Sequence, residues 1–102
     1  MSRPLCIAVL GAGNWGTVLA HLGASNGHAV CLWTRDARTR DEINERHTHQ
    51  RAHQHLALAP TLRATCAVSE ALAGVDLIFA ALPSQAFRAV CRSLTVSYTH
   101  LT

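Results

Sequence analysis

Gly11-Ala12-Gly13-Asn14-Trp15-Gly16 follows the apolar run Leu5-Cys6-Ile7-Ala8-Val9-Leu10 and opens a segment in which Trp15, Val18, Leu19 and Leu22 recur at helical spacing. A strand, a tight turn and a helix start therefore meet in one short stretch. In the dinucleotide-binding fingerprint the first glycine makes the turn, the second lets the backbone approach a pyrophosphate, and the third lets helix pack closely on strand. Gly11, Gly13 and Gly16 stand at those places. The diphosphate would then rest on N–H groups at the positive end of the helix. Three glycines in six residues also suit an ordinary sharp turn; the strand before and the helix after favour the nucleotide reading.

Outward from this turn, Pro4 to Leu10 is nearly continuous apolar sequence, as expected for a central strand of a parallel sheet covered on both faces. The first helix is expected to end at Ser25-Asn26-Gly27, with the glycine in a left-handed cap. His28 to Trp33 reads as the second strand, ending at Thr34-Arg35-Asp36. In a dinucleotide fold this strand end meets the adenosine ribose, where an acid accepts from the 2′-hydroxyl and an arginine pairs with a 2′-phosphate. Arg35 comes first, which favours NADP(H) and leaves NAD(H) open.

Asp36 to about Arg46 is charged, with Ile43 as its apolar anchor, and reads as a short exposed helix. The histidines from His47 to His55 suggest a metal site, since His49 and His53 would share a helix face. No cysteine or carboxylate lies in that run and Arg51 sits within it, so a solvated loop or helix end is the better reading. A short third strand is expected near Leu62 to Thr65, then a helix from Ser69 as cap to Gly74 as stop. Val75 to Leu82 reads as a central fourth strand. Pro83 ends it, and Ser84 opens a helix through about Leu94 with Ala86, Phe87, Val90 and Leu94 as its buried stripe. The junction at Pro83 and Ser84 falls at the same sheet edge as the glycine turn, so both are candidate cofactor contacts. The expected fold is α/β, a Rossmann-like doubly wound parallel sheet, incomplete, with about four strands and flanking helices over residues 1–94. Residues 95–102 are polar and read as an unstructured or non-native tail.

The 102 residues carry a net charge of +3 from nine arginines and no lysine. The arginines are spread along the chain, which argues against a nucleic-acid surface. No apolar run approaches the roughly 18 residues of a membrane span, and no basic head with a cleavable apolar stretch opens the chain, so a cytoplasmic location is expected. Cys6, Cys31, Cys66 and Cys91 form no CxxC pair and read as reduced core thiols.

The chain resembles the N-terminal part of NAD(P)-dependent glycerol-3-phosphate dehydrogenase from about Ile7 to Leu94. The resemblance rests on Ile7 through Thr17, on Asn26-Gly27-His28 leading to Leu32-Trp33-Thr34-Arg35, on Glu42-Ile43-Asn44-Glu45, on Glu70-Ala71-Leu72, and on Asp76-Leu77-Ile78 through Leu82-Pro83-Ser84-Gln85. It implies reduction of dihydroxyacetone phosphate with NAD(P)H to sn-glycerol 3-phosphate for phospholipid synthesis. It also implies cofactor contacts from Asn14 and Trp15 beside the three glycines and from Arg35 at the adenosine end, and it admits a homodimer for the complete protein. The family's Tyr-Leu-Pro-Gly element is replaced by Ala52-His53-Gln54-His55, and its catalytic and substrate-binding lysines have no counterpart here. No catalytic residue and no metal ligand is therefore assigned, and the chain by itself is expected to be inactive. Two rivals stand beside this reading: another Rossmann dehydrogenase, of the 6-phosphogluconate, hydroxyacyl or ketopantoate type, or a non-catalytic NADP(H)-binding module.

Overall fold

A computed structural model of the chain describes residues 3–52 and 55–82. The elements run β1 (Cys6–Leu10), α1 (Asn14–Ser25), β2 (Ala29–Trp33), α2 (Ala37–Arg46), β3 (Arg63–Thr65), α3 (Val68–Ala71) and β4 (Leu77–Ala80). The strands are all parallel and lie in the order β3-β2-β1-β4. The chain thus winds outward from β1 to β3 and returns to pair β4 on the other side of β1. Strand order reverses at β1, and in open α/β sheets such a reversal leaves a crevice at the carboxyl ends of the strands. The Rossmann-like expectation is met among the described residues.

Alternation along β1 sorts the core onto two faces. Ile7 and Val9 pack with Ala20 and Ala24 of α1, Ile43 of α2, and Val30, Leu32 and Leu62. Ala8 and Leu10 face the other way, against Trp33 and the α3 residues around Ala71 and Leu72. A strand covered on both faces has no polar side to show, which is why its sequence is unbroken apolar. Gly27, with φ 89°, follows the end of α1 as expected. Asp36 caps α2, its Oδ1 accepting from the Arg38 N–H over 2.9 Å, and Ile43 is fully buried.

Several expectations need correction. The apolar spacing in α1 points to Trp15, Val18, Leu19 and Leu22, yet the helix buries Gly16, Thr17, Ala20 and Ala24, and Trp15 is 76% exposed. The glycine turn forces a close approach that only small residues permit, so the small face goes inward. In α3 the cap is Ala67, which has no side-chain oxygen to offer, and Ser69 lies inside the helix; the Thr65 hydroxyl accepts from the Ala67 N–H and donates to Glu70, which ties the entry of the helix to its first turn. Gly74 has φ 65° but falls past the helix, which ends at Ala71. The fourth strand lies at one edge of the described sheet, beside β1, with Leu77, Ile78 and Phe79 each 39–46% exposed. Its apolar composition records that both faces need cover and does not fix strand order. Cys6 is exposed, and Cys31 and Cys66 are half-buried and free; none of the three is fully buried, and Cys31 packs against the edge of the core around Ala8 and Leu10. The expected helix from Ser84 to Leu94, the tail 95–102, Cys91 and His53 lie outside the described residues.

Candidate functional site

The chain leaves β1 with the Gly11 N–H donating to the Trp33 carbonyl over 2.9 Å, then reverses at Gly11, whose φ is 113°. L side chains rarely adopt that φ, and a Cβ at Gly11 would also strike the Ala81 carbonyl oxygen. Across the turn, a Cβ on Gly16 would collide with the Gly11 carbonyl oxygen, so the first turn of α1 packs directly on the backbone of the glycine loop. Gly13 differs from both. Its φ of −77° and ψ of −167° suit any residue, and a Cβ there would meet nothing within 4 Å. Gly11 and Gly16 are thus demanded by the protein's own packing, whereas the lack of a side chain at Gly13 only keeps open the space in front of the helix.

That space is an anion cradle in its chemistry. The hydrogen-bond ladder of α1 begins with the Thr17 N–H on the Gly13 carbonyl at 3.0 Å, and no acidic residue stands in the first turn. The N–H groups of that turn and the helix dipole therefore present partial positive charge to the crevice. The residues present fit a dinucleotide diphosphate.

The peptide between Ala12 and Gly13 is held from two sides. The Ala12 carbonyl accepts from the Thr17 hydroxyl at 3.3 Å and from His49 Nε2 at 2.7 Å. A carbonyl can only accept, so the hydrogen sits on Nε2. Because a trans peptide carries its C=O and N–H in opposite directions, fixing the carbonyl also aims the Gly13 N–H. His49 is 4% exposed, so the expectation of a solvated loop or helix end fails at this one histidine, whereas His47 ends α2 and Gln50, Arg51 and His55 are exposed.

Residues 47–52 form a strap across the end of β2. His47, in a left-handed conformation at φ 57°, ends α2 with its N–H on the Ile43 carbonyl. Glu42 then accepts from the Thr48 hydroxyl at 2.7 Å and from the Gln50 N–H at 3.0 Å. Burial raises the Glu42 carboxyl, but these bonds and the nearby His49 and Arg46 outweigh it and leave it below the ordinary carboxylate value. Arg51 closes the strap on Asp36 at 3.2 Å. Asp36 is likewise held low: the Arg38 N–H is the largest cause, burial opposes it, and Thr39 with the charges of Arg51 and Arg38 adds to the lowering.

Two open hollows flank the glycine turn. One, about 300 Å³, is lined by Gly11, Gly13 and Arg35 with Thr34 and Leu82. The other, about 260 Å³, is lined by Gly13, Asn14, Thr34, Asp36, His49 and Arg51, among others. Ala12, Gly13 and Thr34 belong to both, so Gly11, Gly13, Asn14 and Arg35 come together at one sheet edge. Gly16 lies beneath the turn and Trp15 projects into solvent. Pro83 and Ser84 lie outside the described residues. Sequence reasoning missed Thr17, His49 and Arg51. The position of Thr17 directly behind Gly16 was a usable signal; the fold alone brings His49 to the glycine turn.

A parallel sheet with its order reversed at β1, and a glycine turn feeding a helix at that point, define a Rossmann-like domain of the dinucleotide-binding plan. Comparison with known proteins gives the particular family. The family described as NAD-dependent glycerol-3-phosphate dehydrogenase N-terminus matches residues 6–100, and the chain belongs to it. It is 48% identical over 88 residues to "Glycerol-3-phosphate dehydrogenase [NAD(P)+]" of Nitratidesulfovibrio vulgaris strain DP4, a match covering 86% of this chain and 27% of the relative. A protein of the same name from Enterococcus faecalis is 40% identical over 88 residues, covering 86% of this chain and 26% of its own. Among solved structures, glycerol-3-phosphate dehydrogenase from Coxiella burnetii superposes with a TM-score of 0.82 at 35% identity, over 90% of this chain and 28% of that one. The chain thus spans about a quarter of the length of the relatives it matches.

Proposed function

We propose that this chain is the NAD(P)H-binding portion of an sn-glycerol-3-phosphate dehydrogenase, which reduces dihydroxyacetone phosphate to sn-glycerol 3-phosphate. The observation that carries the reading is the contrast among the glycines: Gly11 and Gly16 are filled against by protein, while Gly13 opens onto empty space before the positive end of α1. In this reading Gly11, Gly13 and Gly16 form the diphosphate cradle, Asn14 and Trp15 contact the cofactor from the first turn of α1, and Arg35 meets the adenosine end. Pro83 and Ser84 would contact the cofactor from the neighbouring strand end.

The bound reduced nicotinamide would supply a hydride to the ketone. Reduction also needs a proton donor for the developing alkoxide and a cation for the substrate phosphate. In the family the chain resembles, lysines serve both purposes, and this chain has none; the part proposed for its own residues is to bind and orient the dinucleotide. Supply of phospholipid precursor, a cytoplasmic setting and a homodimer of the complete enzyme belong to the same proposal, and the family membership supports them. No helix among the described residues is long and apolar enough to cross a membrane.

Calorimetric titration of the chain with NADPH and NADH tests the proposal. Saturable one-site binding of at least one dinucleotide is expected, together with no reduction of dihydroxyacetone phosphate. Binding of neither dinucleotide by a folded chain would contradict it.

A further inference from the structure

The strap brings a second guanidinium to the end of β2. Arg51 Nη1 donates to Asp36 Oδ2 over 3.2 Å, yet the Arg51 side chain is 80% exposed, so most of the group stays turned to solvent. Arg51 lines one of the hollows beside the glycine turn and Arg35 lines the other, with Gly13 and Thr34 shared between them. One cation, Arg35, therefore stands within the segment from Thr34 to Asp36 and a second, Arg51, is paired to its end at Asp36, where a dinucleotide fold places the adenosine ribose.

Asp36 is the acid expected to accept from a ribose hydroxyl at such a place, but it is already engaged. Its Oδ1 accepts from the Arg38 N–H at 2.9 Å, and its Oδ2 from the Thr39 hydroxyl at 3.4 Å and from Arg51. The other carboxylate near the strap, Glu42, is occupied by Thr48 and the Gln50 N–H. An ion pair as exposed as Arg51 with Asp36 adds little to stability, and the strap is already held by Glu42 and His49. Structural tethering does not account for this guanidinium.

We infer that Arg51 is a specificity-determining residue: it donates, together with Arg35, to the 2′-phosphate of an adenine dinucleotide, and its pairing with Asp36 offsets the carboxylate charge that would repel that phosphate. The inference rests on the dinucleotide-binding reading above. Without Arg51, the Asp36 carboxylate would lose its paired cation and present more of its negative charge, which disfavours a phosphate and tolerates a hydroxyl.

The test is calorimetric titration with NADPH and with NADH of the wild-type chain, Arg51→Ala, Arg51→Gln, and Arg51→Ala combined with Asp36→Asn, which keeps a capping side chain. The wild type is expected to prefer NADPH. Loss of one charge-assisted contact in Arg51→Ala and Arg51→Gln should weaken NADPH about tenfold and NADH by less than about twofold. Adding Asp36→Asn should recover roughly threefold for NADPH, because the repelling charge is gone. Equal losses for both dinucleotides, no loss for either, no recovery in the double variant, or a wild type that prefers NADH would overturn the inference and leave dinucleotide binding intact. A folded wild type that binds neither dinucleotide would overturn the underlying reading instead.

Discussion

His49 Nε2 lies 2.7 Å from the Ala12 carbonyl oxygen, so a residue 37 positions downstream holds the peptide that leads into Gly13. The ring is buried and its Nδ1 has no hydrogen-bond partner among the described residues, which leaves the Ala12 bond as its polar anchor. The glycine turn is thus braced from outside its own strand-turn-helix unit.

Replacing His49 with alanine should lose that bond and leave the Ala12 carbonyl with only the longer contact from Thr17. A cost of about 1–3 kcal/mol in unfolding free energy is expected from the lost bond and the lost packing. Urea denaturation measures it. Unchanged stability would show that the strap does not brace the turn.

Arg35 is exposed beside Thr34 and makes no ion pair among the described residues. Arg35→Ala should therefore leave the fold unaltered and cost on the order of 1.5–3 kcal/mol in NADPH affinity, with little change for NADH. Equal losses for the two dinucleotides would remove Arg35 from the adenosine end.

Acid should loosen the strap. Asp36 and Glu42 are both held below their ordinary values, so the folded state favours their ionised forms. The stability they add is complete above the unfolded carboxylate range of about 4, and it is lost as pH falls through their lower folded values. Denaturant midpoints followed downward from about pH 5 should fall less steeply in the double variant Asp36→Asn, Glu42→Gln than in the wild type. Identical acid slopes would show that neither carboxylate contributes.

The local part of the candidate site is legible in the sequence, and the part assembled through space is not. Gly11, Gly13 and Gly16 announce themselves by spacing between an apolar run and a helix, because that geometry is fixed within a few residues of chain. The Asp36 cap and the Ile43 anchor of α2 were legible for the same reason. The stripe of α1 was misread because periodicity favours large side chains, whereas the close approach at Gly16 selects Thr17, Ala20 and Ala24. His49 looked solvated in a polar run; only the return of the chain from α2 over the end of β2 brings it to Ala12. Arg51 looked like an argument against metal binding, and its pairing with Asp36 spans 15 residues that no local pattern links.

The most direct test of the glycine turn compares alanine at two of its positions. Gly16→Ala should destabilise the chain by about 3 kcal/mol or more, since its Cβ meets the Gly11 backbone. Gly13→Ala should change stability by less than about 1 kcal/mol, because its backbone angles suit alanine and its Cβ meets open space. The deciding measurement is NADPH titration of Gly13→Ala. A folded variant that has lost at least about tenfold in affinity is the expected result, a methyl group having taken the space the diphosphate needs. A folded variant that binds as tightly as wild type would contradict the placement of the dinucleotide over this turn.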